Sequence, residues 1–405
     1  MAAVVTEAPP APGYRDLFAV REYTVLLGAQ LLSILGDQLA RVALTVLVYD
    51  RTRSALLAAV AFAATVLPIL ASGLLLGQVA DRCPRRAVMV TCDLASFALV
   101  TLMAVPGMPL AALIVLLAAV AVIFEPFRAA RAAVNREVLG ARLYPIGISV
   151  TQGAYQAGQV AGYAAGGLIV AFAGVRTALL IDAATFAVSA VVIRFGVRRR
   201  PAAAPAAGPG PRLGVLSGVR VVLAARIAAC ALGIDLIASF VNSPEGVAVP
   251  LAGVLGHGPA VAGLLLAAMA AGSVAGMTIA GRFASPALLA ARAPVLAAAS
   301  CVLLAGFAFR PGLAAGLVLL ALSGAGTGWM VGTGPAFAGA ISDGDRGKAF
   351  GAANAALVGG QGIMILVAGA LAAAAGPEAA IAICGAAGAA AAVPAGLAWR
   401  RARAT

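Results

Sequence analysis

Apolar residues run through this chain in long stretches separated by short polar segments rich in arginine. The stretches extend roughly over Tyr23 to Tyr49, Ser54 to Val79, Ala87 to Pro106, Leu110 to Phe124, Pro145 to Phe172 and Thr177 to Ile193. They resume over Ile227 to Val249, Val261 to Ala280, Ala293 to Phe309, Leu313 to Ala338, Ala349 to Ala374 and Ala379 to Trp399. A helix rises about 1.5 Å per residue and the hydrocarbon core of a bilayer is about 30 Å thick, so about 20 apolar residues cross it. The pattern predicts an all-α integral membrane protein with twelve transmembrane helices. A transmembrane barrel would instead show alternating segments of about ten residues.

The polar breaks divide the chain. Arg198, Arg199, Arg200 and a Pro/Ala/Gly run through Pro211 form a segment that cannot build a core. The expected organisation is a cytoplasmic N-terminal segment (1–22), a six-helix bundle (23–194), a cytoplasmic linker (195–222), a second six-helix bundle (223–399) and a basic cytoplasmic tail (400–405). Glu7, four early prolines and Asp16 do not follow the plan of a cleaved signal peptide. The halves echo one another: Gly158, Gln159 and Gly167 recur as Gly360, Gln361 and Gly369, 202 residues later. Gly73 and Gly77 with Ala80, Asp81 and Arg82 resemble Gly272 and Gly276 with Ala280, Gly281 and Arg282. Two related six-helix halves are a transporter architecture, with a substrate site between them near the membrane midplane.

Composition agrees with a bilayer setting. The 405 residues are 62% hydrophobic and 11% charged, with a mean hydropathy of +1.03, against about 25% charged in soluble domains. The 48 glycines suit helices that pack closely in lipid. A net charge of +13 raises nucleic acid as a partner, but the placement of the charge argues against it. With both termini in the cytoplasm, 23 of the 28 Lys and Arg fall inside, Arg51, Arg53, Arg176 and Arg310 fall outside, and Arg41 lies within the first helix. That asymmetry orients helices and meets anionic headgroups, so the bilayer is the expected partner. The expected location is a bacterial inner membrane. Five scattered cysteines without CxxC spacing and a single histidine, His257, predict no metal site and no His-based triad. No phosphate loop of the form GxxxxGK[ST] is present. No cofactor is expected, nor an enzyme, and energy must come from an ion gradient or from the substrate.

The sharpest motif is Gly77-Gln-Val-Ala-Asp81-Arg82-Cys83-Pro84-Arg85-Arg86. It resembles the signature loop between the second and third helices of the major facilitator superfamily, with Pro84 where the family has glycine. The resemblance implies a gating loop of Gly77, Asp81, Arg82, Arg85 and Arg86 that holds one conformational state, with Glu125 and Arg85 as candidate partners for Asp81. Ser33-Ile-Leu-Gly36-Asp37-Gln38 with Arg41, Glu245-Gly-Val-Ala-Val-Pro250, and Arg346-Gly347 are similar to the macrolide-efflux and siderophore-exporter branch. Gly158, Gly162, Gly166 and Gly167 resemble an antiporter motif with Tyr163 in place of its proline. The fourth stretch carries no mid-membrane arginine.

Ionisable residues within the membrane cost about 2.5–3.5 kcal/mol each on insertion scales and usually face a cavity or a counter-charge. Asp37, Asp235 and Glu245 are the proton-coupling candidates, in that order. Asp37 shares a helix face with Arg41, and a structural salt bridge between them is the competing reading. Asp93 and Asp182 are read as caps or orienting contacts near helix ends. Gln38, Arg41, Gln152, Gln156, Gln159, Asn242, Asn354 and Gln361 are candidate cavity-lining residues. The expected function is alternating-access, proton-coupled efflux of a small, fairly apolar compound, such as an antibiotic, siderophore or secondary metabolite, by a monomer. A sugar or nutrient importer of the same fold, and a non-cycling sensor, are the alternatives.

Overall fold

The computed structural model describes residues 13–68, 83–200 and 211–404. The first half holds α1 (Arg21–Thr52), α2 (Ala55–Ala63) and α3 (Arg85–Met103). A helical run over Leu110–Gly196 follows, divided at Gly140 (φ 59°, ψ 178°) and Gly174 (φ 81°, ψ 166°) into α4 (110–139), α5 (141–173) and α6 (175–196). Positive φ with ψ near 180° is open essentially to glycine alone, so these two residues set where the chain reverses. The second half holds α7 (Arg226–Gly246), α8 (Pro259–Phe283), α9 (Pro286–Phe309), α10 (Leu313–Gly339), α11 (Arg346–Ala375) and α12 (Pro377–Ala404). Residues 69–82, which carry the rest of the expected second helix, lie outside the described residues. No strand occurs among the described residues. The architecture is that of a twelve-helix membrane bundle.

Three boundaries differ from the apolar pattern. Helix α4 does not stop near Phe124 but continues to residue 139, carrying Arg128, Arg131 and Arg136 on helical backbone. Part of the linker is itself helical, over Pro211–Ala224, and packs on α11, where Gly218 lies against the Lys348 carbonyl. Helix α12 runs on through Arg400, Arg401 and Arg403. In the first and last cases arginine, a good helix former, prolongs a helix beyond its apolar part. Hydropathy marks where lipid ends, not where the helix does.

Contacts fix the direction of the helices. The Tyr23 hydroxyl donates to the Gly147 carbonyl at 2.9 Å, Arg85 pairs with Glu137 at 2.6 Å, and the Trp399 indole donates to the Ala290 carbonyl at 2.6 Å. These join the starts of odd-numbered helices with one another or with the ends of even-numbered ones, at what is here called the linker end. At the far end, Arg51 donates to the Met108 carbonyl at 2.7 Å, and Arg310 approaches Glu378 at 3.9 Å. Side chains such as Val115, Phe172, Val302 and Val393 point outward, as a lipid solvent permits.

Among the described residues, the two halves share a hydrophobic core towards the far end. There a single hydrophobic cluster joins Leu39, Ala59 and Tyr163 of the first half to Val247, Leu265 and Ile365 of the second. Towards the linker end the described residues separate into a second-half cluster around Trp329 and Trp399 and a first-half cluster around Met89, Phe127 and Ile193. The repeated glycines build the shared region symmetrically. Gly158 of α5 packs on Ile34 of α1, and Gly360 of α11 packs on Ser239 of α7. Gly167 of α5 meets Gly263 of α8, and Gly369 of α11 meets Ala59 of α2. The 202-residue repeat therefore marks equivalent contacts in the two halves.

Candidate functional site

Within the first half a cavity of about 100 Å³ is lined by Asp37, Gln38 and Arg41 of α1, Thr65 after α2, Tyr155 of α5 and Asp182 of α6, with apolar walls from α3 and α4. Helix α1 positions the polar set: Asp37 and Arg41 are one turn apart and face the same space. No hydrogen bond or ion pair to the Asp37 carboxylate occurs among the described residues, so the Asp37–Arg41 salt bridge, the competing reading, is not formed. Arg41 instead stands over the Phe62 ring, 5.9 Å from its centroid, within electrostatic reach of Tyr155, Tyr163, Asp37 and Glu245.

Asp182 corrects its reading as a helix-end cap. It is 1% exposed, well inside α6, and lies against Gly36 of α1, where a side chain would collide with its carboxylate. Gly36 thus makes room for a second acid beside Asp37, and the two interact electrostatically. Asp93 is likewise inside α3, buried, and accepts a 2.7 Å hydrogen bond from the Ser189 hydroxyl of α6. Arg131 reaches Asp37, Asp93 and Tyr155 electrostatically. The fourth helix therefore does supply an arginine to the buried acids, from a position the apolar pattern assigns to a loop.

A second group lies where the halves meet. Helix α7 gives way to a 3-10 turn over Ser243–Gly246 and resumes over Ala248–Val254. Pro244 has no N–H for an intact helix, and Gly246 lets the Ile365 backbone and Ala59 approach closely. The break turns Glu245 inward, where it is buried and accepts a 2.6 Å hydrogen bond from the Gln361 amide of α11. Arg41, from the other half, lies within electrostatic reach of the same carboxylate without an ion pair to it among the described residues. Asp235 lies nearer the linker end of α7 and accepts from the Thr333 hydroxyl of α10 at 2.7 Å.

The structure thus brings Asp37, Gln38, Arg41, Glu245 and Gln361 into one central region and leaves Asp235 within the second half. Gln152 is exposed, in a groove with Arg128, Arg131 and Tyr144 between α4 and α5. Asn354 is exposed, while Gln156, Gln159 and Asn242 are half-buried. Gly77, Asp81 and Arg82 lie outside the described residues. Of the remaining loop residues, Arg85 pairs with Glu137, Arg86 donates to the Arg194 and Val197 carbonyls at the end of α6, and Glu125 pairs with Arg128 at 2.8 Å. Sequence reasoning passed over Asp182, Tyr155, Thr65 and Arg131 as site residues. Gly36 directly before Asp37 is the one local signal that another helix approaches there.

The model of the Major Facilitator Superfamily matches residues 26–314. Solved structures share the fold at low identity. One is a bacterial homolog of the human lysosomal transporter Spinster, in an inward-facing and unoccupied conformation, at 14% identity and TM-score 0.65, covering 95% of this chain and 96% of that one. A POT family transporter in complex with 5-aminolevulinic acid gives 10% identity and TM-score 0.73, covering 92% and 95%. The nucleoside transporter NupG gives 15% identity and TM-score 0.71, covering 93% and 99%. No curated protein matches the sequence significantly.

Proposed function

The chain belongs to the Major Facilitator Superfamily and is a membrane transporter rather than an enzyme; from that premise we propose that it exports a small, fairly apolar compound in exchange for protons by alternating access. The observation that carries this reading is the meeting of Arg41 from the first half with the Glu245–Gln361 pair of the second. Titratable groups that face one another across the two moving bodies can tie a change in protonation to a change in conformation. Protonating Glu245 removes its attraction to Arg41, so the two halves lose an electrostatic attraction that acts only when they are close.

The asymmetric core supports an inward-facing state. With the arginine-rich linker end placed in the cytoplasm by the positive-inside rule, the joined end is extracellular and the separated clusters are cytoplasmic. The apolar walls around Asp37 suit a cargo that partitions from lipid or cytoplasm without many hydrogen bonds. Asp37, without a counter-ion contact, is the leading coupling group. Glu245 moves ahead of Asp235, because Asp235 bonds only within its own half.

The test is transport in proteoliposomes with an imposed pH gradient, using a panel of lipophilic cations, antibiotics and metal-free siderophores. With cargo at equal concentration on both sides, wild type is expected to accumulate at least one class on the acidic side. Asp37→Asn and Glu245→Gln are each expected to abolish gradient-driven movement while leaving cargo binding. Uptake towards the cytoplasmic side would establish the importer, and no movement of any cargo together with retained binding would establish a sensor.

A further inference from the structure

We propose that the groove between α4 and α5 at the linker end binds the acid group of an amphipathic monoanion, a carboxylate or a phosphate diester, with Arg131 as its principal partner. Two helix faces form the groove. Arg128, Arg131 and Asn135 on α4, and Tyr144, Ile148 and Gln152 on α5, each recur at three- or four-residue spacing and so share one face of their helix. Two arginines and no carboxylate line the groove. Like charges one turn apart on a helix repel, and only Arg128 has an ion-pair partner there, Glu125 at 2.8 Å.

Arg131 is the unsatisfied member. It is half-buried over the Phe127 ring, 5.7 Å from the centroid, and Asp37 and Asp93 reach it electrostatically. No carboxylate lies within ion-pair distance of its guanidinium among the described residues, and no acceptor takes a hydrogen bond from it. Its nitrogens are nevertheless not sealed off, and the space that Arg131 lines is this groove rather than the cavity around Asp37. Polar groups taken from water nearly always find partners, and the planar guanidinium fork matches a carboxylate or a phosphate. The one amide oxygen that would oppose an anion, Asn135 Oδ1, is closed off from the groove. On the opposite wall the Thr151 hydroxyl is engaged with Tyr23 at 3.2 Å, while the exposed Gln152 amide makes no hydrogen bond among the described residues.

Room and lining set the class of ligand. The groove measures about 220 Å³, the liquid volume of about seven waters, so a lone halide would leave most of it empty. Leu139 and Ile148 line part of it, and Ile148 is 44% exposed. An acid group carrying a short hydrocarbon part fills both environments. One guanidinium without an ion pair matches one negative charge, whereas a dianion would leave a charge over. The anion has two sources, a free organic acid or the phosphate diester of an anionic phospholipid. If it is a free acid, the site narrows the cargo to organic acids; that consequence rests on the exporter reading, and the binding itself does not.

Equilibrium binding of radioactive octanoate to the full-length protein in phosphatidylcholine nanodiscs, with empty nanodiscs as background, tests it directly. Expected is saturable 1:1 binding, weakened at least tenfold in Arg131→Gln, partly retained in Arg131→Lys and unchanged in Arg282→Gln, an arginine away from the groove. Octanol and octyltrimethylammonium should show no saturable binding, a comparison on wild type that decides the matter even if Arg131→Gln does not fold. Displacement of octanoate by phosphatidylglycerol in the disc would identify the anion as a lipid headgroup, and indifference to it a free acid; either upholds the site. Absence of saturable octanoate binding, equal binding of the neutral or cationic analogue, or unaltered binding in folded Arg131→Gln would overturn it. Octanoate binding with no cargo moved in the proteoliposome panel would instead sink the exporter reading and leave the site standing.

Discussion

Gly167 of α5 and Gly263 of α8 stand back to back across the two halves: a methyl group on Gly167 would lie 2.8 Å from the Gly263 Cα and from the Pro259 carbonyl oxygen. Both obstacles are backbone and cannot rotate away. Gly167→Val is therefore expected to wedge the halves apart at the far end and cut transport at least tenfold. A cysteine introduced near Gly174 should react faster with a membrane-impermeant thiol reagent in this variant. Gly153→Ala, at a helical position with nothing within 4 Å, serves as the control and should melt at or slightly above the wild-type temperature. Equal labelling in the two variants would show that this contact does not close the far end.

The Glu245–Gln361 bond predicts a coupled pair. Gln361→Leu removes the donor and leaves a buried carboxylate; a charge-assisted hydrogen bond contributes about 1.5–3 kcal/mol, and an orphaned charged group costs at least as much. The melting temperature in detergent should fall by several degrees. Combining it with Glu245→Leu should recover most of that loss, since the orphaned carboxylate is then gone and Arg41 still has Asp37 within electrostatic reach. Additive losses in the double variant would mean that the two side chains do not depend on one another.

Glu137 anchors the start of the linker. It pairs with Arg85 at 2.6 Å and with Arg200 at 2.8 Å, while Arg200 also pairs with Glu22 at 2.6 Å. Glu137 is 46% exposed, so each pair contributes about 0–1 kcal/mol. Glu137→Gln should leave the melting temperature within a few degrees of wild type yet speed trypsin cleavage after Arg198 and Arg199 several-fold. Wild type in high salt should approach the variant. Unchanged cleavage would mean that the Glu22 pair alone holds the segment.

Asp345, at the start of α11 and outside the bilayer, accepts from Lys348 at 3.0 Å and from Ser342 at 3.1 Å. These hydrogen bonds, with the nearby Lys348 charge, hold its carboxyl below the ordinary value of 3.8. A depressed carboxyl stabilises the fold above its unfolded value and loses that contribution as pH falls through its folded value. Lys348→Ala should therefore lower stability slightly and by a constant amount from about pH 5 to 8, and bring variant and wild type together as pH falls below the folded value of Asp345. A difference that varied with pH between about 5 and 8 would require another titrating group in contact with Lys348.

The amino-acid order by itself determined the all-helical membrane architecture and the positions of the internal repeats. Each of these follows from the free energy of moving apolar residues into lipid or from glycine spacing, both of which are local properties. It also placed Asp37, Arg41 and Glu245 in the membrane, because an ionisable residue within an apolar run is conspicuous. What it could not supply was pairing. Asp182 and Asp93 looked like end residues until α6 and α3 folded against α1 and against each other, and Arg131 looked like a loop residue until α4 extended past Phe124. The Asp37–Arg41 spacing suggested a bond that helix geometry permits; tertiary structure instead drew Arg41 towards Phe62 and Glu245. Charges in a low-dielectric interior choose partners by distance in space, and those distances exist only once the two halves have packed.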